Sequence, residues 1–263
     1  VPLTETADRF DVQISGVRLS VQRLGAGTPV VYLHGSSGVS ALPPYLRAIA
    51  ERHRLTVPDH PGFGCSDDPL WLRTVDDLAM FYLDFLDTLD EPVHVVAHSL
   101  GGWIAAEMAI RNCSRMKTLS LIAPAGLRVK GIPIADNFIW SPEENARALF
   151  VNQAFSEQML SAEPDEAQMD VLIRNRFTAA KLGWQPRWYD PTLPNWLHRI
   201  RVPVDIIWGD TDRLIPHEYA AHWASYIPDA RVDTVDAASH LPHIERADAV
   251  CAVTLAFLQE HDV

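Results

Sequence analysis

A serine stands in the stretch Ala97-His98-Ser99-Leu100-Gly101-Gly102, directly after the apolar run Val93-His94-Val95-Val96 and directly before the helical stretch Trp103 to Ala109. A strand and a helix that adjoin with no loop force Ser99 onto a strained turn, which tolerates only small residues two places before and after it. Ala97 and Gly101 meet that demand. Such a turn holds the hydroxyl clear of the sheet edge and aims the free N–H groups of the helix start at the same spot. A serine that merely caps the helix fits the same local pattern. A hydroxyl is a poor nucleophile at neutral pH and needs a base in hydrogen-bond reach, itself oriented by a carboxylate. The chain offers both: Gly209-Asp210-Thr211-Asp212 places two carboxylates just past one apolar run, and Ala238-Ser239-His240 places a histidine after another. Nucleophilic catalysis by serine is the chemistry these types support, with Asp210 and Asp212 as rival orienting acids.

The elements that must position these residues are short. Residues 9–23 alternate around Ser15-Gly16 and predict an antiparallel hairpin. The runs Val30 to Leu33, Leu55 to Val57, Val93 to Ala97, Leu119 to Ile122 and Val204 to Trp208 have no polar face, which predicts strands covered on both sides. A further candidate strand runs from Arg231 to Val235. Helical patterns at 42–51, 75–89, 100–111 and 245–259 fall between and after these strands, so the class is α/β with a mostly parallel sheet. Every chemistry-bearing residue follows the C-terminus of a strand, which is where open α/β sheets place their sites. Between Ala123 and Pro203 lie about 75 residues, far more than the usual αβ connection of 2 to 6, so 127–200 reads as an inserted helical cap, with 1–126 and 201–263 as the core.

Taken in order, His34-Gly35, Gly62-Phe63-Gly64-Cys65-Ser66, Ala97 to Gly102, Gly209-x-x-Asp212-x-x-x-Pro216 and Ser239-His240 resemble the motif set of the α/β-hydrolase superfamily. Ala97 and Ser239 stand where that family usually has glycine. The resemblance implies an α/β-hydrolase fold, Ser99 as nucleophile, His240 as base and Asp212, in preference to Asp210, as orienting acid. It also implies an oxyanion hole formed by the backbone N–H groups of Ser36 and Leu100, and no cofactor. The reaction it suggests is cleavage of a carboxylic ester or related acyl bond. A carbon–carbon bond hydrolase of ring-fission products is the alternative on the same residues; His34-Gly35-Ser36-Ser37-Gly38 lacks the Gly-Pro-Gly turn of that group, and Leu241 replaces its frequent Trp. A small-molecule receptor of the same fold is a second alternative.

The cap is rich in aromatics, most of which pack it onto the core while a few line an apolar pocket. Trp140 and Trp184 are the pocket candidates, and with them Arg176, which resembles the cation that meets a substrate acid in the carbon–carbon bond hydrolases; a solvated helix face is the plainer place for it. Other polar residues point to structure. His217 and His222 are five apart, which puts them about 140° apart on a helix and unable to share a metal in the usual way. His34 and His98 read as turn organisers, His240 and His243 lack a third ligand, and Cys65 lacks a base, so no metal site is expected.

Composition narrows the partners. Lys and Arg number 22 against 34 Asp and Glu, a formal charge of −12, which disfavours nucleic acid and anionic membranes. Apolar runs fall far short of the roughly 20 residues of a spanning helix. Val1-Pro2-Leu3-Thr4-Glu5-Thr6 has neither the basic nor the apolar region of a signal peptide, and the three cysteines form no CxxC pair, so a cytoplasmic protein acting on a small molecule is expected.

Overall fold

The computed structural model describes residues 7–262; the N-terminal hexapeptide read above lies outside them. One eight-stranded sheet organises the chain: β1 (Asp8–Ile14), β2 (Val17–Leu24), β3 (Pro29–Leu33), β4 (Arg54–Pro58), β5 (Val93–His98), β6 (Met116–Ile122), β7 (Val204–Gly209) and β8 (Ala230–Val235). Their spatial order is β1-β2-β4-β3-β5-β6-β7-β8. The expected hairpin forms between β1 and β2, with Ser15 and Gly16 both at positive φ (48° and 80°), the pairing that matches strand twist in a two-residue turn. β2 also runs antiparallel to β4, and all later pairs are parallel.

The unalternating runs are buried on both faces. Val31, Leu33, Val95 and Ala97 pack with α2 (Val75–Asp87) and α3 (Leu100–Arg111), while Val30, Tyr32 and Val96 pack on the other side with α1 (Pro44–Ala50) and α9 (Ala247–Glu260). α2 starts at a capping box in which Thr74 and Asp77 satisfy each other's backbone N–H groups. Two helices escaped the sequence pattern, α7 (Tyr219–Tyr226) and the one-turn α8 (Pro242–Glu245). His217 precedes α7 and His222 lies within it.

Between β6 and β7 the chain forms α4 (Pro142–Leu149), α5 (Gln153–Leu160), α6 (Glu166–Gly183) and two 3-10 turns at Leu193–Asn195 and Leu197–Arg199. Leu193, Leu197 and Ile200 are already in the main hydrophobic cluster. α4 and α6 lie against the loops that follow β3, β4, β7 and β8: Asn175 bonds to Ser37 O and Gly64 N, Thr178 to Gly62 O, Arg213 to Arg147 O and Ser239 to Ala148 O. They therefore cover the carboxyl edge of the sheet. Among the described residues no helix is long and apolar enough to cross a membrane.

Candidate active site

Ser99 is the turn between β5 and α3, with φ 51° and ψ −112°, and its side chain makes no capping bond to the helix. The capping alternative therefore does not describe it. Its backbone is held by an N–H bond to Ile122 O and by the Trp103 and Ala125 amides on its carbonyl, so a strained conformation is fixed from three directions. The small neighbours are needed for space. A Cβ on Gly101 would fall 2.1 Å from Leu33 O, and Ala97 is wholly buried in β5.

The structure brings Ser99, His240 and Asp212 together. His240 Nε2 lies 3.0 Å from Ser99 Oγ, and its Nδ1 lies 2.8 Å from Asp212 Oδ2. All three are buried, Ser99 least so at 9% exposure. Asp212 accepts four hydrogen bonds: Oδ2 from His240 Nδ1 and Trp208 Nε1, and Oδ1 from the backbone amides of Leu214 and Ile215. Asp210 points elsewhere. It is exposed and accepts from the Thr211 hydroxyl and the Ala238 amide, so it braces the turn. A carboxylate facing Nδ1 puts the ring proton there and leaves the Nε2 lone pair for the serine hydroxyl.

The neighbouring histidines are structural. His34 Nδ1 donates to Gly35 O, which leaves Nε2 to accept the His60 amide; His60 Nε2 donates to His34 O, leaving its Nδ1 to accept from Tyr82. His98 Nε2 donates to His240 O at 3.0 Å. Burial lowers His34 below the ordinary histidine range and holds His60 and His98 well below it, and it takes His243 down to about 3, so these rings hold the loops as neutral groups. His243 faces Tyr32 at 3.4 Å. Cys65 is exposed and contacts Arg9.

Leu100 opens α3, so its N–H has no acceptor one turn back within the helix. Ser36 follows Gly35, and a Cβ built on Gly35 would come 3.5 Å from Ser99 Cβ and 2.7 Å from His98 Nδ1, so the loop after β3 abuts the serine turn.

The three pocket candidates differ in setting, and Arg176 lies on the solvated face that is its plainer reading. Arg176 is exposed, Trp184 is half in solvent beneath the Arg187 guanidinium and against Phe138, and Trp140 is half-buried just before α4. Two other cations of α6 reach the core: Arg174 donates to Gly64 O and Ser66 O, and Lys181 to Asp68 Oδ1 at 2.7 Å. Arg174 and Asn175 were missed because they interrupt the hydrophobic periodicity; the signal that could find them is the demand of the loop carbonyls and amides for partners. Elsewhere, Asp76, Glu107 and Asp190 bring carboxylates close enough for a metal, but Arg111 bonds both Asp76 (3.1 Å) and Glu107 (2.5 Å).

A family model described as alpha/beta hydrolase fold matches residues 28–247. A 2-hydroxymuconate semialdehyde hydrolase of Pseudomonas sp. (strain CF600) is 27% identical over 269 residues, 96% of this chain and 94% of that one. A 2-hydroxy-6-oxo-2,4-heptadienoate hydrolase of Pseudomonas putida is 27% identical over 266 residues, 95% of this chain and 96% of that one. The solved structure of naproxen esterase from Bacillus subtilis superposes with a TM-score of 0.76 at 20% identity, over 97% of this chain and 92% of that one. With a model match spanning most of its length, the chain belongs to the alpha/beta hydrolase fold family.

Proposed function

We propose that the protein is a serine hydrolase that cleaves a carboxylic ester, or a related acyl bond, in a small and largely apolar molecule held beneath α4–α6, which act as a cap. The observation that carries this reading is the relay Ser99 Oγ–His240 Nε2 at 3.0 Å and His240 Nδ1–Asp212 Oδ2 at 2.8 Å. Ser99 Oγ attacks the carbonyl carbon while His240 Nε2 takes its proton, and the imidazolium is stabilised by Asp212. The carbonyl oxygen becomes an oxyanion facing the N–H groups of Ser36 and Leu100. Collapse expels the alcohol, which takes the proton from His240, and leaves Ser99 acylated. Water then attacks the acyl carbon with His240 as base, releasing the acid and restoring the serine. This chemistry needs neither a metal nor an organic cofactor.

The same relay serves carbon–carbon bond hydrolysis, and the two curated relatives are named for acidic dienoate or muconate compounds. What favours the ester reading is the state of the three cations of α6: Arg176 is exposed, Arg174 is already bonded to two loop carbonyls, and Lys181 is paired with Asp68. A panel of chromogenic esters, lactones and a vinylogous diketone acid tests it, read by rate and product with Ser99→Ala as control. Fast ester turnover that vanishes in Ser99→Ala is the expected result. Efficient cleavage of the diketone acid with negligible ester turnover overturns the ester assignment, and full activity of Ser99→Ala overturns the relay.

A further inference from the structure

The last carbonyls of a helix have no partner inside it. In α4 they are taken by the loops that hold His240 and Asp212. Ser239 Oγ donates to Ala148 O at 2.6 Å, the Leu241 amide donates to Leu149 O at 3.4 Å, and Arg213 Nη1 donates to Arg147 O at 3.4 Å. The Ser239 hydroxyl, wholly buried, also accepts the Arg213 amide at 3.2 Å. Across the α4–α5 turn, the Glu245 carboxylate accepts the amides of Val151 and Asn152 and reaches back to the Ser239 amide at 3.1 Å.

One hydroxyl thus joins three segments. It connects Arg213, the residue after Asp212, to Ser239, the residue before His240, and fastens both to the end of α4. Each partner is a backbone group, so the joint sets chain position directly. Glycine at 209 permits the approach, since a Cβ there would fall 2.3 Å from Ala238 O and 2.4 Å from Ser239 O. A glycine at 239 itself, the residue usual in the resembled family, would supply no such hydroxyl.

From this geometry we infer that Ser239 is a positioning residue: its hydroxyl holds the His240 and Asp212 loops in register with each other and with the α4–α5 turn, so that the setting of the inserted segment controls how His240 Nε2 addresses Ser99 Oγ. The inference rests on the serine-hydrolase reading above. Any displacement of α4 from the sheet edge would therefore reach the residue adjacent to the base through the Ser239–Ala148 bond.

The test uses a fluorophosphonate, which reports base-assisted attack by Ser99 without requiring the natural substrate. Second-order inactivation rates are measured for the wild type, Ser99→Ala, Ser239→Ala and Ser239→Gly, with near-ultraviolet circular dichroism for the fold and the low-field proton resonance of His240 Nδ1 as a structural signature. A displacement of about 1 Å at a reacting centre can cost on the order of a hundredfold, so both Ser239 variants are expected to react at least about tenfold more slowly, with the low-field resonance shifted or broadened. If neither Ser239 variant folds, Glu245→Gln, which loosens the same turn from outside the relay, must show the same slowing. Wild-type rates with an unchanged resonance in the folded variants, even alongside a lower melting temperature, overturn the inference and leave Ser239 a purely structural residue. A wild-type protein that reacts no faster than Ser99→Ala overturns the hydrolase reading instead.

Discussion

Asparagine at position 212 provides a severe test of the relay because the structure dictates which way the amide must face. In the native carboxylate, Oδ1 accepts the Leu214 and Ile215 amides at 2.8 and 2.9 Å, while Oδ2 accepts from His240 Nδ1 and Trp208 Nε1 at 2.8 and 3.1 Å. An Asn side chain has one acceptor and one donor group. Turning its NH2 toward Leu214 and Ile215 would leave one buried and one part-buried amide without an acceptor, at about 1–3 kcal/mol for the buried one. The oxygen therefore takes the Oδ1 position and the NH2 faces His240. Trp208 Nε1 keeps Ile215 O as an acceptor at 3.0 Å, so it does not reverse the choice. His240 must now present a bare Nδ1 to the amide, which moves its proton to Nε2, facing the Ser99 hydroxyl. The ring then has no lone pair to accept the serine proton, and kcat is expected to fall about 10⁴-fold with the fold intact. Asp210→Asn changes an exposed carboxylate and is expected to cost less than about tenfold. The assay is ester hydrolysis by both variants beside Ser99→Ala, with circular dichroism as the fold control. Asp212→Asn retaining more than a tenth of wild-type kcat, or losing less than Asp210→Asn, refutes the reasoning.

Further outcomes follow from individual side chains. Arg176→Gln should change kcat/KM less than about twofold for an acidic and a neutral substrate alike, because Arg176 is exposed; a loss of about tenfold or more confined to the acid would restore it to the pocket. Gly101→Ala drives a methyl group onto Leu33 O and His34 O, which are backbone atoms with little room to yield, so it should lower unfolding free energy by about 1–3 kcal/mol and lower activity with it; a melting temperature equal to wild type would contradict that close approach. Asp205, wholly buried on β7, is pushed up to about 7 by burial and by hydrogen bonding with Asp233. Because the folded state holds the proton more tightly than the unfolded chain, this contribution to stability is complete below about pH 3.8 and is lost as the pH rises to about 7, with a slope of up to about 1.4 kcal/mol per pH unit. Denaturant unfolding of Asp205→Asn and wild type across that range should show the variant gaining on the wild type as pH rises; a difference independent of pH would contradict the burial argument.

The reversal of α6 shows where sequence patterning stops. Hydrophobic periodicity along Met169, Leu172, Ile173 and Phe177 would turn that stripe inward. In the structure all four are exposed, while Asn175 and Thr178 are buried. The surface beneath α6 consists of the loops after β3 and β4, whose Ser37, Gly62 and Gly64 backbone groups require hydrogen-bond partners, so polar side chains face them. The same facing leaves Arg176 in solvent, in agreement with the plainer reading of its place in the sequence.

What the amino-acid sequence determined by itself was local and ordinal. Apolar runs without alternation marked the buried strands, small residues around Ser99 marked a turn with no room for a loop, and the chain order of serine, acid and histidine placed each after a strand. These features depend on residue type and spacing alone. The tertiary structure decided which groups meet. Asp210 and Asp212 share a turn two residues apart, and only the placement of the Leu214 and Ile215 amides and the Trp208 indole turns one of them toward His240. Ser99 and His240 lie 141 positions apart, and their 3.0 Å contact exists because parallel pairing of β5, β6, β7 and β8 brings their carboxyl ends side by side. The bond from Ser239 to Ala148 depends on where an inserted segment docks, and docking is set by the surfaces of both bodies, which no stretch of sequence contains.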